Sequence, residues 1–510
     1  MSDTGVKSEK KSYLFEVNEL EKEVPFESEK LAQLKKDAAS ISRAKLLQKI
    51  DFKVLPVFAI IFFVFSLDRS NISQALTDNL LEDLNIDQNI SNIGVSLLWG
   101  AICIGDIPSN MILSRIGAKY WIPTQVIVWS MVATLQCLIQ DKNGFLATRF
   151  FLGLAESGFI PGALAFLSNF YTKKEYAKRV VFFFYGNAFA SMFGPLVAAG
   201  ILKLRGNAGL EGWRWLWLIE GLMTFVVGVA AYFAIPKSVS DSKTLIFGHI
   251  LNDYEAKAFK SQLILADKSN EKGNSPIKAS TVFDALIDWR IYPHIFMAIV
   301  GLTALQPTMT YGSYILKEVG FSTINSNLLA IPWTAGSLLS TLGLATLSDR
   351  YNDRSGFMLI ASLWYLIIAV LIRILNTRLS AWRFYALYSV YQMAPSWHNI
   401  NVAWITSNQC SSERKSIILA FYFMAANFAG IPGNQIFREE DKPKYLKGWV
   451  AVLVLYVLLN CLIIGQRIQY SWTNSKKKKM LNSLSEIENE EYKKKESIHD
   501  NKRLTFVHPI

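Results

Sequence analysis

The chain has 510 residues, 51% hydrophobic and 13% aromatic, with a formal net charge of +12. Its apolar residues gather into runs that match a hydrocarbon core of about 30 Å, which takes about 20 helical residues to cross; this excludes a soluble multidomain protein. The positive excess lies in tails and short loops, the ordinary mark of the cytoplasmic side of a membrane protein, and so gives no reason to expect a nucleic-acid partner.

In chain order, residues 1–53 are polar and charged and predict a cytoplasmic tail without a cleaved leader. Apolar runs at 54–76, 92–113, 120–140, 144–170, 180–202 and 215–235 predict spans one to six. The polar stretch 237–289, with a Gly-Asn-Ser-Pro turn at 273–276, divides the chain. Runs at 290–313, 322–347, 356–375, 380–405, 416–437 and 449–468 predict spans seven to twelve. Residues 469–510 carry Lys476 to Lys479 and mixed charge, which suits a solvated tail near anionic lipid. The expected fold is therefore an all-α membrane protein: a six-helix bundle at 54–236, a cytoplasmic loop at 237–289 and a second bundle at 290–468.

Loop charge sets the orientation. Arg43, Lys45, Lys49 and Lys53, then Arg115 and Lys119, then Lys173, Lys174, Lys178 and Arg179, then Arg350 and Arg354, then Arg414 and Lys415 all fall on one side. The loop after span one is acidic, with Asp78, Glu82, Asp83 and Asp87, and falls on the other. Both termini are expected in the cytoplasm, although Arg373, Arg378 and Arg383 oppose the rule. The turn after span two, Leu113 to Lys119, has a counterpart six spans later at Leu347 to Arg354. This echo suggests parallel repeats and makes Arg115, Asp349 and Arg350 expected gate residues, with Asp106 bracing the first turn.

Asp68 and Arg69 sit side by side inside the first apolar run. A charge at the centre of a bilayer helix costs roughly 2.5–3.5 kcal/mol on insertion scales, so such a pair marks a pathway for a polar solute or proton. Adjacent residues on a helix point about 100° apart, so the two cannot simply pair. Arg149 and Glu156 of span four are seven residues apart, on one stripe and roughly 10 Å apart along the axis. These four groups are expected to face one central cavity. A charge network locking spans one and four together is the structural alternative. Four buried charges are a poor choice for that alone, because apolar replacements are often as stable.

Weaker polar signals are Asn71, Gln306, Tyr311, His398 and Asn427, each a candidate substrate contact or an interhelical hydrogen bond. The Trp-rich segment Gly212 to Gly221 reads as an interfacial belt. Cys103, Cys137, Cys410 and Cys461 lie in or beside apolar runs, have no metal-ligand spacing and read as small membrane-buried side chains. The sequons at Asn71 and Asn89 lie in or close to a span. No phosphate-binding loop, G-x-S-x-G motif or metal set is present in the sequence, so neither ATP-driven transport, an enzyme nor a cofactor is expected.

These segments together resemble fungal members of the major facilitator superfamily over roughly residues 45–470. The resemblance is closest to the allantoate permease family of anion:cation symporters. It rests on LDRSNI at 67–72, ATRFFLGLAES at 147–157, FYTKKEYAKR at 170–179, GLEGWRWLWLIEG at 209–221 and DKPKYLKG at 441–448. In that wider family the acid–Arg pair of helix one and the Arg and Glu of helix four serve anion binding and proton coupling. The resemblance implies that Asp68 and Glu156 carry protons and that Arg69 and Arg149 clamp an anion. It further implies uptake of a small organic anion across the plasma membrane. Segments 121–130, 158–168 and 328–332 look most similar to the sulfonate and inorganic-sulfur branch, from some members of which Glu156 is a departure. Span five holds a single Gly194-Pro195 without the glycine pattern of drug–proton antiporters, which disfavours efflux. A monomer is expected. A non-transporting sensor and an exporter of the same fold are the alternative readings.

Overall fold

The computed structural model describes residues 26–266, 279–409, 412–483 and 506–509. The turn at 273–276, Cys410, residues 1–25 and most of the C-terminal tail lie outside these residues. Ten helices among the described residues are long and apolar enough to cross a membrane. Spans ten and eleven complete the expected twelve in interrupted form. Span ten, expected as an unbroken run at 380–405, consists of Ala381–Gln392 and Trp397–Ser407. Pro395 lies in the break; it has no N–H to donate and disfavours a helical residue before it. Span eleven is Ser412–Phe428, followed by the short turn Gly430–Gly433.

Several spans start earlier or run further than hydropathy marks. Span two is Gln88–Ile116, begun by an Asp87 carboxylate that accepts from Ile90 N at 2.8 Å. Span five is Lys173–Ile201, begun by a capping box between Thr172 and Glu175. Span twelve continues from Leu446 to Ser483, well past the expected end at 468. Hydropathy registers only the part of a helix that lipid covers, whereas capping decides where the backbone stops.

Alternating helices give the bundle two ends. Residues 43–53, the turns at 117 and 352, and the end of span twelve mark the tail face; residues 77–87, 202–212 and 434–446 mark the far face. Glycines bring spans into backbone contact. A Cβ on Gly186 of span five would sit 2.2 Å from Ala59 O of span one, and one on Gly153 of span four 2.3 Å from Leu98 O of span two. Such close approach is how membrane helices gain packing without a hydrophobic driving force.

The polar segments on the tail face are more structured than expected from their composition. Helices Phe26–Ala39, Arg43–Lys53 and Asp253–Ala266 pack under the first bundle, beside a two-stranded antiparallel ribbon pairing Lys243–Thr244 with Gly248–His249. Arg43 grips Glu175 at 2.6 Å, Arg179 grips Asp51 at 2.7 Å and Lys49 meets Glu255 at 2.5 Å. Gln262 Nε2 donates to the carbonyls of Ala38 and Ile41. Under the second bundle, residues 506–509 dock against the ends of spans seven, ten and twelve. His508 is 1% exposed. Its backbone N–H donates to Asn474 Oδ1 at 2.8 Å, and Trp404 Nε1 donates to Pro509 O at 2.9 Å.

Candidate functional site

Span one turns its two charges in different directions. Arg69 reaches span four, where its Nε donates to Glu156 Oε2 at 2.8 Å. The guanidinium lies over the rings of Phe65 and Trp99, 4.3 and 5.0 Å from their centroids. The Arg69 side chain is 20% exposed while that of Glu156 is fully buried. The arginine therefore faces the space between the halves, and the acid anchors it from behind.

Asp68 does not join them. It is fully buried on the opposite side of span one and accepts a hydrogen bond from Thr224 Oγ1 of span six at 3.0 Å. The four charges are thus not gathered in one place: Arg69 and Arg149 lie near Glu156, and Asp68 lies apart from them. Asn71 follows Asp68 by one turn and lies against Glu220 of span six, so it too belongs to the seam between spans one and six and not to the cavity.

Arg149 is 1% exposed, between the rings of Phe145 and Trp217 at 5.3 and 5.2 Å. Its Nε and Nη2 have no hydrogen-bond partner. Opposite stands Tyr311 of span seven, whose backbone breaks the helix at φ −111°, ψ 16°. Tyr311 is fully buried and faces Ser91 and Arg149. A buried guanidinium with two idle donors is a ready acceptor of an oxyanion.

Span four breaks directly after Glu156. Its two pieces, Lys142–Glu156 and Phe159–Ser168, meet at Gly158, which has φ +76°. Asp106 of span two stabilises the break by accepting from Gly158 N at 2.7 Å, and its other oxygen accepts from Asn427 Nδ2 of span eleven at 3.3 Å. Asp106 therefore does not brace the turn after span two, as its position suggested; it joins the break beside Glu156 to the second half. The same bond places Asn427 at the junction of the halves.

The remaining candidates sit elsewhere. Gln306 bonds within its own helix to Thr310 and packs against Gly433. His398 closes a chain of interhelical bonds in the second half. His398 Nδ1 meets Tyr422 OH at 3.0 Å; Asn401 donates to the same hydroxyl at 3.1 Å and its Oδ1 meets His294 Nδ1 at 2.6 Å. His398 thus belongs to an interhelical hydrogen-bond chain within the second half. Arg115 and Arg350 are exposed at helix ends, and Asp349 pairs with Arg354 inside its own turn. None of these three bridges the halves.

Closure lies at the far face instead. Gln88 and Asn92 donate to Phe437 O at 3.0 and 2.8 Å, Tyr445 OH donates to Gln88 Oε1 at 2.7 Å, and Ser96 donates to Ile431 O at 2.9 Å. Thr323 donates to Thr77 O at 2.7 Å on the other side of the same seal. Toward the tail face, the bond of Asn427 to Asp106 also joins the halves.

Sequence reasoning missed Glu220, Thr224 and the ring pair around Arg149. Trp213 and Trp217 are fully buried, not an interfacial belt; Trp213 Nε1 donates to Asp83 at 2.8 Å. The signal for Glu220 was present: an acid in a run already counted as a span.

The family model described as Major Facilitator Superfamily matches residues 58–434. The chain is 29% identical over 471 residues to the uncharacterized transporter YIL166C of Saccharomyces cerevisiae, covering 91% of this chain and 87% of that one. It is 26% identical to the MFS-type transporter efuF of Hormonema carpetanum, covering 84% and 86%. Among solved structures it resembles the partially occluded, inward-open xylose transporter XylE of E. coli, with TM-score 0.62 and 16% identity over 81% of this chain and 97% of that one. A bacterial homologue of the lysosomal transporter Spinster, inward-facing and unoccupied, matches with TM-score 0.61 and 14% identity over 84% and 98%. These relatives and neighbours are transporters and not enzymes.

Proposed function

The chain belongs to the Major Facilitator Superfamily, and from that premise we propose that it imports a small organic anion together with protons. The observation that carries this reading is Arg149, a guanidinium buried at bilayer depth with two donors idle. An unpaired cation there is expensive unless an anion completes it. Arg69 supplies the second clamp. In the ground state Glu156 occupies it. Protonation of Glu156 removes the competing charge and frees Arg69 for the incoming carboxylate or sulfonate. Loss of that proton restores the pair and expels the anion.

Access alternates by rocking of the halves about this site. The far-face seal supports an arrangement open toward the tail face, which we assign to the cytoplasm of a plasma-membrane protein acting as a monomer. The substrate class is that of the allantoate permease family: ureides such as allantoate, vitamin carboxylates, or sulfonates.

The test is growth and radiolabelled uptake in a strain lacking this gene and complemented with it, across sole nitrogen, sulfur and vitamin anions. Accumulation of one anion, increased by outside acid, is expected. Binding without accumulation, or export driven by the same gradient, would overturn the reading.

A further inference from the structure

Span six carries an acid of its own at membrane depth. Glu220 is 2% exposed and Asp68 is fully buried. The two helices run antiparallel, and their polar groups form two rungs. Asp68 takes the hydroxyl of Thr224 at 3.0 Å, and one turn along span one Asn71 lies against Glu220, which is one turn before Thr224. Residues four apart on a helix are neighbours at about 5–6 Å between Cβ atoms, so the carboxyls face each other diagonally across the seam. Asp68 feels Glu220 and, more weakly, Glu156; Trp129 of span three turns its indole toward the same carboxyl. No Lys or Arg is hydrogen-bonded to either acid among the described residues.

Acceptors in the seam outnumber donors: Asp68 Oδ1, Glu220 Oε2 and Asn71 Oδ1 are all buried without a partner, and the one idle donor beside them is the Trp129 indole N–H. Two bare carboxylates and an idle amide oxygen cannot share such a place without heavy desolvation loss. A single proton lowers the charge from two to one and supplies an O–H donor. We propose that Asp68 and Glu220 hold one proton between them, forming a proton site on the seam of spans one and six, separate from the anion clamp. Its role in coupling rests on the transport reading above. Asp68 is bonded through the chain to Arg69, so one helix carries both the proton seam and an anion clamp, and movement of span one displaces both.

The test needs no substrate. Infrared spectra of the purified full-length protein in lipid nanodiscs at neutral pH report the carbonyl stretch of buried protonated carboxyls. A component sensitive to isotope labelling of Asp or Glu is expected. The double variant Asp68→Asn, Glu220→Gln is expected to lose it, Thr224→Val to shift it, and Glu156→Gln to leave it. Absence of the component, its survival in the double variant, or its loss in Glu156→Gln would overturn the proposal. If the double variant does not fold, Thr224→Val decides, an unmoved band counting against. A failed anion panel with this band intact would refute the transport reading alone.

Discussion

Arg69 and Glu156 are 87 positions apart and meet Nε to Oε2 at 2.8 Å. The bond joins spans one and four, yet the arginine remains partly open to the space between the halves. In the transport reading proposed above, this is the contact that a competing anion exchanges for its own.

Glu156→Gln should abolish accumulation driven by a pH gradient and leave exchange of anion for anion intact, because the amide is neutral and Arg69 stays free. Uptake and counterflow in the same vesicles separate the two. Unchanged gradient-driven uptake would remove Glu156 from the coupling step.

Arg149→Lys keeps the charge but loses the planar fork and much of its stacking against Phe145 and Trp217. A charge-assisted hydrogen bond contributes about 1.5–3 kcal/mol, and every 1.4 kcal/mol is tenfold. The half-saturation concentration should therefore rise by roughly ten- to a hundredfold, read from uptake at graded anion concentrations.

Gly186→Val should lower the thermal midpoint. Its new Cβ meets the backbone oxygen of Ala59, which cannot swing aside, and overpacking of this kind costs about 1–3 kcal/mol. Gly200→Ala in the same helix meets nothing within 4 Å and should hold or raise the midpoint, since alanine is the better helix former. Thermal unfolding of the two variants, side by side, checks the contrast.

The docked segment 506–509 should loosen in acid. Burial, reinforced by the neighbouring charges of Lys477 and Arg290, pushes His508 down to about 3, with Asp288 opposing. Arg290 Nη1 and Lys477 Nζ approach its Nε2 at 3.2 and 3.3 Å, and Tyr470 stacks on the ring. A released histidine titrates near 6.5. The released form therefore binds more protons between these values, and docking is weakened as pH falls below about 6.5. Limited proteolysis of the tail at graded pH should show faster cleavage in acid, and His508→Ala should remove most of that pH dependence.

The partnership of spans one and four was legible because charge inside an apolar run is rare and seven residues make two helical turns. Which member of Asp68–Arg69 would face the cavity was not legible: neighbours point about 100° apart, and only the packing of span six decides between them. Glu220 was hidden by company, since the tryptophans around it suggested an interface. Asp106 was misplaced because its bond partner, Gly158 N, exists only where span four breaks. Pro395 announced the break in span ten, but a hydropathy window averages across it.

Four bonds of the far-face seal run from side chains on one half to main-chain oxygens on the other: Gln88 and Asn92 to Phe437, Ser96 to Ile431, and in the opposite sense Thr323 to Thr77. An oxygen of the main chain is the same whatever side chain it carries. The accepting positions are thus free to drift in sequence without loss of the bond, while the donors are not. Paired substitutions between the halves would leave little trace of these four bonds among relatives, and exchange of Phe437 for another large apolar residue should be better tolerated than exchange of Gln88.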